Sequence, residues 1–215
     1  MKHLLLSLAA ASVMFVAQSA NATIIFTEGN HPQEDESNIL FGASETGTTI
    51  TGEVDHSGIG VDFSSLTGQT LLQKAKGQAD IFNATSGGLL NSITVSLADD
   101  RTFGDFILNL QGLDGTAHIS VDCNDCGATP ATFDIEGKSG SNFLTTVAID
   151  GETMTSISVT MLSGSGWTDF KQPRISGVEG FTPGPGPGVP EPATLALLGS
   201  ALLGYGAMRR RKQNS

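Results

Sequence analysis

Ser92-Ile93-Thr94-Val95-Ser96-Leu97 alternates small polar and apolar side chains without a break. In a strand successive side chains point to opposite faces, so Ile93, Val95 and Leu97 enter a core while Ser92, Thr94 and Ser96 meet water. His118-Ile119-Ser120-Val121-Asp122 and Ser156-Ile157-Ser158-Val159-Thr160-Met161 carry the same pattern. No window holds the three-and-four spacing of an amphipathic helix over three turns. The body is therefore predicted to be all-β.

Turn signals separate these runs at the intervals common in sandwiches and barrels. They are Thr46-Gly47, Ser57-Gly58, Ser86-Gly87-Gly88, Asp114-Gly115, Gly140-Ser141-Asn142 and Asp150-Gly151. Asp-Gly suits a tight hairpin because both central residues take positive φ. Two hairpins follow: Phe143–Ile149 turning at Asp150-Gly151 into Thr155–Met161, and Phe106–Leu110 turning through Gly112 to Gly115 into Thr116–Asp122. Further strands are expected at Thr48–Val54, Gly60–Phe63, Gln78–Phe82, Thr132–Glu136 and Phe170–Val178. About ten strands suit an antiparallel, jelly-roll-like β-sandwich better than a small barrel.

Both ends of the chain read as processing signals. Lys2, an apolar run from Leu4 to Ala17, and Ala20-Asn21-Ala22 form a signal peptide over residues 1–22, with Thr23 as the mature start. The implied handlers are the Sec translocon and signal peptidase. A single domain is expected over residues 23–181, then a Pro/Gly spacer over 182–188, whose prolines remove backbone donors and whose glycines add chain entropy. Six of the 11 basic residues and 21 of the 22 acidic ones lie between the signal and the tail, leaving that body at −15. Such a surface repels phosphate backbones and disfavours nucleic acid as a partner.

The last segment, residues 189–215, has three parts in order. Val189-Pro190-Glu191-Pro192 comes first, an uncharged stretch over residues 193–208 follows, and Arg209-Arg210-Arg211-Lys212 closes it. Sixteen residues are just short of the ~20 a spanning helix needs, and flanking basic groups can snorkel to make a short transmembrane helix feasible. The basic cluster stays cytoplasmic, which places the body outside. This arrangement resembles the PEP-CTERM sorting signal of Gram-negative bacteria that make extracellular polysaccharide. The resemblance implies export across the inner membrane and transient anchoring there. An exosortase, a membrane-embedded cysteine transpeptidase, would then cut near Pro-Glu-Pro and deliver the body to the cell surface or beyond. Thr168 to Val178 is also similar to the closing strand of β-sandwich domains common in such proteins, a group with no chemistry to carry over.

Candidate chemistry in the body is sparse. Cys123 and Cys126 lie in an exported segment, where a disulfide pinning a hairpin loop is expected; the redox reading of Cys-x-x-Cys wants a helix start, and none is predicted. No second Cys or His pair completes a zinc set. The loop from Asp122 has Cys126 and Phe133 where an EF-hand needs oxygen donors, so no metal site is assigned, although Asp99, Asp100 and Asp105 could crowd a loop end. His31, His56 and His118 stand apart without a motif, and neither a nucleophile elbow nor a nucleotide-binding loop occurs, so no catalytic residue and no cofactor is expected. Trp167, the single tryptophan, either plugs the end of a sandwich or stacks on a sugar as a glycan contact. These readings predict a non-catalytic structural or adhesive surface protein of exopolysaccharide biofilm. A secreted carbohydrate-binding module is the alternative, and a secreted hydrolase comes third.

Overall fold

The computed structural model describes residues 23–74, 77–124 and 130–179, all within one compact unit, Met1–Phe181. The strands in chain order are β1 (Thr23–Glu28), β2 (Ser37–Phe41), β3 (Thr46–Gly47), β4 (Thr49–Val54) and β5 (Gly60–Ser64). Next come β6 (Leu71–Gln73), β7 (Gly77–Gln78), β8 (Asp80–Asn83), β9 (Ser92–Leu97) and β10 (Asp105–Gln111). The chain continues with β11 (Asp114–Cys123), β12 (Ala131–Glu136), β13 (Ser141–Ile149), β14 (Met154–Gly166) and β15 (Asp169–Ser176). A single 3₁₀ turn, Ala98–Asp100, is the only helical piece among the described residues.

Every pairing is antiparallel, and one hydrogen-bonded path runs β1-β13-β10-β15-β2-β4-β5-β9-β14-β11-β12. The path folds back on itself at β2, where Ser37 and Asn38 pair with β15 while Ile39 and Leu40 pair with β4. At the far ends β1 and β12 come together through the stacked rings of Phe26 and Phe133, 5.5 Å apart. The result is an antiparallel, nearly closed sheet around one core. The coarse expectation of an all-β body is thus met.

Alternation explains which side chains fill that core. In β9, Ile93, Val95 and Leu97 are buried and Thr94 and Ser96 are not, as the sequence pattern requires, but Ser92 is buried against expectation, its hydroxyl bonded to Ser65 and Thr67. β4 buries Ile50, Gly52 and Val54 in the same way, and Gly52 lies so close to Phe41 that a Cβ would sit 2.9 Å from its ring. Phe63 of β5 meets Phe170 of β15 edge-on at 6.1 Å, joining the two halves of the sheet across the interior.

Both expected hairpins need correction. Asp150 and Gly151 do take positive φ, 61° and 86°, but the strands they join part into opposite halves. β13 is flanked by β1 and β10, whereas β14 lies between β9 and β11. β10 and β11 likewise belong to opposite halves, so Gly112 to Gly115 forms a crossing rather than a hairpin. The local turn chemistry was read correctly. Long-range ladders outweigh it, because β11 and β14 pair along most of their length and bury Ala117, Ile119, Val121, Ile157 and Val159. Real hairpins join β4 to β5 and β11 to β12.

The β11–β14 ladder is kinked where Gly115 faces Gly164, at φ of 106° and 93°. A Cβ on Gly164 would lie 2.2 Å from the Asp114 carbonyl oxygen. Gly164→Ala is expected to cost more than about 2 kcal/mol and at least ~5 °C in Tm. Gly58→Ala, at positive φ in open space, should cost only about 1 kcal/mol. Equal melting temperatures for the two variants would contradict the close approach.

Candidate functional site

The outer face of β6, β8 and β15 carries a broad groove. Register places Leu72 beside Phe82, Phe82 beside Asp169, and Asp80 beside Lys171. Leu71, Ile81 and Phe170 point inward and are fully buried, so the alternate residues face out. Leu72, Phe82 and Asp169, with Lys74, Thr168 and the turn from Asn83 to Leu89, line a groove of about 410 Å³. Asn83 shapes that turn, its side chain accepting from the Thr85 N–H and donating to the Leu89 carbonyl.

Charge in the groove is balanced on a surface that is otherwise acidic. The Lys74 ammonium sits 4.0 Å from the Phe82 ring centroid and 3.6 Å from Asp80 Oδ2. Lys171 meets Asp169 at 3.0 Å, and the hydrogen bond it donates to that carboxylate raises the Lys171 pKa above its ordinary value. Burial raises the Asp80 carboxyl despite Lys171 and Lys74 beside it. A half-buried ring flanked by amide, hydroxyl, carboxylate and ammonium groups can stack on an apolar sugar face and hydrogen-bond its rim.

A second cluster ties down the segment between β1 and β2. Arg174 of β15 holds Glu36 with Nε–Oε1 at 3.1 Å and also donates to Asn30. Thr145 Oγ1 accepts from the His31 N–H and donates to the Gly29 carbonyl. Burial raises the Glu36 and Asp105 carboxyls, Arg174 opposing the shift at Glu36 and the Ser176 hydroxyl opposing it at Asp105. A carboxyl raised in the fold binds its proton more tightly when folded. Its stabilising contribution is full below the unfolded pKa, about 4, and is lost as pH rises through the folded value.

The sequence-derived candidates are scattered. Trp167 is 0% exposed and bridges Leu90 in the interior; its glycan-contact expectation is corrected, because no ring face reaches solvent. It fills the core although its indole N–H finds no acceptor. Cys123 ends β11 and is not a free thiol, while Cys126 lies outside the described residues. Asp99 and Asp100 sit at positive φ in the 3₁₀ turn, and no metal-binding group of three ligands occurs among the described residues. His56 and His118 contact Asp55 and Asp134 separately. Residues 1–22, the spacer, Val189 to Pro192 and Arg209 to Lys212 also lie outside the described residues. None of the described helices is long and apolar enough to cross a membrane. The groove itself was missed. Asp80-Ile81-Phe82-Asn83 shows the right alternation, but nothing local announces β15 as its neighbour.

Three raised carboxyls give the body an unusual pH response. Its Tm should rise as pH falls through the raised values toward about 4, the unfolded carboxyl range, and Asp105→Asn should flatten that slope. A Tm that drops over the same interval would contradict the electrostatic picture.

Comparison with known proteins adds one strong finding. The PEP-CTERM protein-sorting motif matches residues 188–212. No curated protein matches the chain. A crystal structure of the enzymatically active domain of bacteriophage CBA120 tailspike protein 4 is similar over 74% of this chain and 19% of that one, at 14% identity and a TM-score of 0.23. The chain thus spans about a fifth of that structure, and at this TM-score nothing about fold or activity is carried across. What the comparisons establish lies in the tail: this chain carries a PEP-CTERM sorting motif, which implies export and processing by an exosortase.

Proposed function

We propose that this is a cell-surface or extracellular-matrix protein of a Gram-negative bacterium, exported by the Sec route and sorted through its tail, with a non-catalytic structural or adhesive role in exopolysaccharide biofilm. The motif at residues 188–212 carries the reading. Pro190-Glu191-Pro192 is the segment the exosortase acts on, and Arg209 to Lys212 hold the cytoplasmic end during sorting. The body supports the rest of the proposal: its two halves face each other like a jelly-roll sandwich, and its strong negative charge keeps it soluble outside the cell. A Cys123–Cys126 disulfide would close the β11–β12 hairpin loop in that oxidising location. Replacing Pro190, Glu191 and Pro192 with Ala should leave the protein in the membrane fraction while the parent reaches the surface. Identical fractionation of the two would count against the sorting role.

The groove at Phe82 favours a second reading, that the body binds carbohydrate. Its half-buried ring and balanced polar rim are the features a sugar-binding surface needs. Phe82→Ala should then abolish retention of the body on immobilised exopolysaccharide at unchanged Tm. Equal retention of variant and parent would remove the groove from consideration.

A further inference from the structure

The face of the Phe82 ring is already taken. The Lys74 ammonium lies 4.0 Å from its centroid, in the groove that both side chains line. A sugar stacks on an aromatic side chain through the ring face, which is the position this ammonium holds. A sugar that uses Phe82 must first move Lys74.

The stem of Lys74 is fixed and its head is loose. Its backbone N–H donates to the Asp80 carbonyl at 3.2 Å, which seats the residue beside β8. Its ammonium is exposed and stands 3.6 Å from Asp80 Oδ2, beyond a hydrogen bond. By contrast, Lys138, Lys171 and Arg174 reach their carboxylates at 2.5, 3.0 and 3.1 Å. Asp80 can take a closer cation. Its Oδ1 is enclosed and has no hydrogen-bond partner among the described residues. Lys171 lies opposite in register but is held by Asp169. An enclosed carboxylate short of donors gains from an ammonium that closes on it.

Resting on the carbohydrate reading of the groove, we propose that Lys74 is a movable lid on Phe82. An uncharged sugar stacks on the ring as the ammonium leaves its face and closes on Asp80 Oδ2. The move is uphill without a ligand, because the ammonium rests on the ring in the free protein. Its cost is limited to the strength of an exposed cation–π contact, less the gain from the tighter ion pair. Charge selects an uncharged sugar. With Lys74 on Asp80 and Lys171 on Asp169 the charges of the groove are paired, and Thr85 and Ser86 remain on its rim for sugar hydroxyls. A polyuronate would instead meet the repulsive field of a strongly acidic body.

Affinity gel electrophoresis of the exported protein tests this, with hydroxyethyl cellulose as the uncharged probe and polygalacturonate as the acidic one. Hydroxyethyl cellulose should retard the parent. Lys74→Ala should bind it at least about twofold more tightly, with roughly fivefold as the ceiling that an exposed cation–π contact sets. Lys74 is an exposed side chain, so this variant should keep the Tm of the parent. Asp80→Asn should bind the probe more weakly, because the ammonium loses its second seat. Equal or weaker binding by Lys74→Ala would overturn the lid, while loss of retardation in Phe82→Ala would still uphold the groove. Retardation by polygalacturonate that Lys74→Ala removes would overturn the lid as well, since Lys74 would then be a ligand contact. A parent that neither probe retards, or a Phe82→Ala variant retarded like the parent, removes the groove and the lid together.

Discussion

Phe63 and Phe170 meet edge-to-face inside the body, one from each half of the sheet, and the rest of the architecture depends on that shared interior. Each half offers one apolar face, and neither can bury it alone. The chain resolves this by alternating between halves: β9 to β10, β10 to β11, β12 to β13, β13 to β14 and β14 to β15 each cross the core. Crossings of this kind need tight backbone approaches at the rim. Gly115 against Gly164, and Gly166 against Leu90, supply them where a Cβ would overlap a carbonyl.

Closure has an electrostatic counterpart. The segment from Gly29 to Glu36 carries the chain from the outermost strand of one half to the corner strand β2, and Arg174 with Thr145 fastens it on the way. The cluster holds carboxylates partly out of water, so their pKa values rise rather than fall. A body this acidic gains doubly from mild acidity, by protonation of those groups and by relief of its own repulsion.

Much of the body was legible because alternation is a local property. β9 buries Ile93, Val95 and Leu97 as its pattern requires, with Ser92 the exception, and the runs at His118–Asp122 and Ser156–Met161 fall within β11 and β14. Partnership was not legible. Asp150-Gly151 reads as a hairpin from its own chemistry and adopts the positive φ values that chemistry demands, yet its strands separate because better partners lie far away in sequence. β1 and β2 lie outside the predicted strands, since Thr23–Glu28 lacks clean alternation and Ser37–Phe41 is short and serves both halves. Trp167 was open to two readings, and its burial matches the one in which it plugs the body: Gly166 lets the chain pack against Leu90 and the ring is enclosed. Phe82 is the half-buried ring of the groove instead, and the pairing of β8 with β15 sets Asp169 beside it.

The tail differs in kind from the body, because its information is read by cellular machinery and is complete in a short linear sequence. Residues 188–212 are identified by that motif. In the proposed reading the exosortase removes the sorting tail and the acidic β body persists. Intact mass spectrometry of the protein from cells with and without the exosortase tests it most directly. A mass lacking Arg209 to Lys212 only when the enzyme is present is the result predicted. The same uncut mass in both would contradict it.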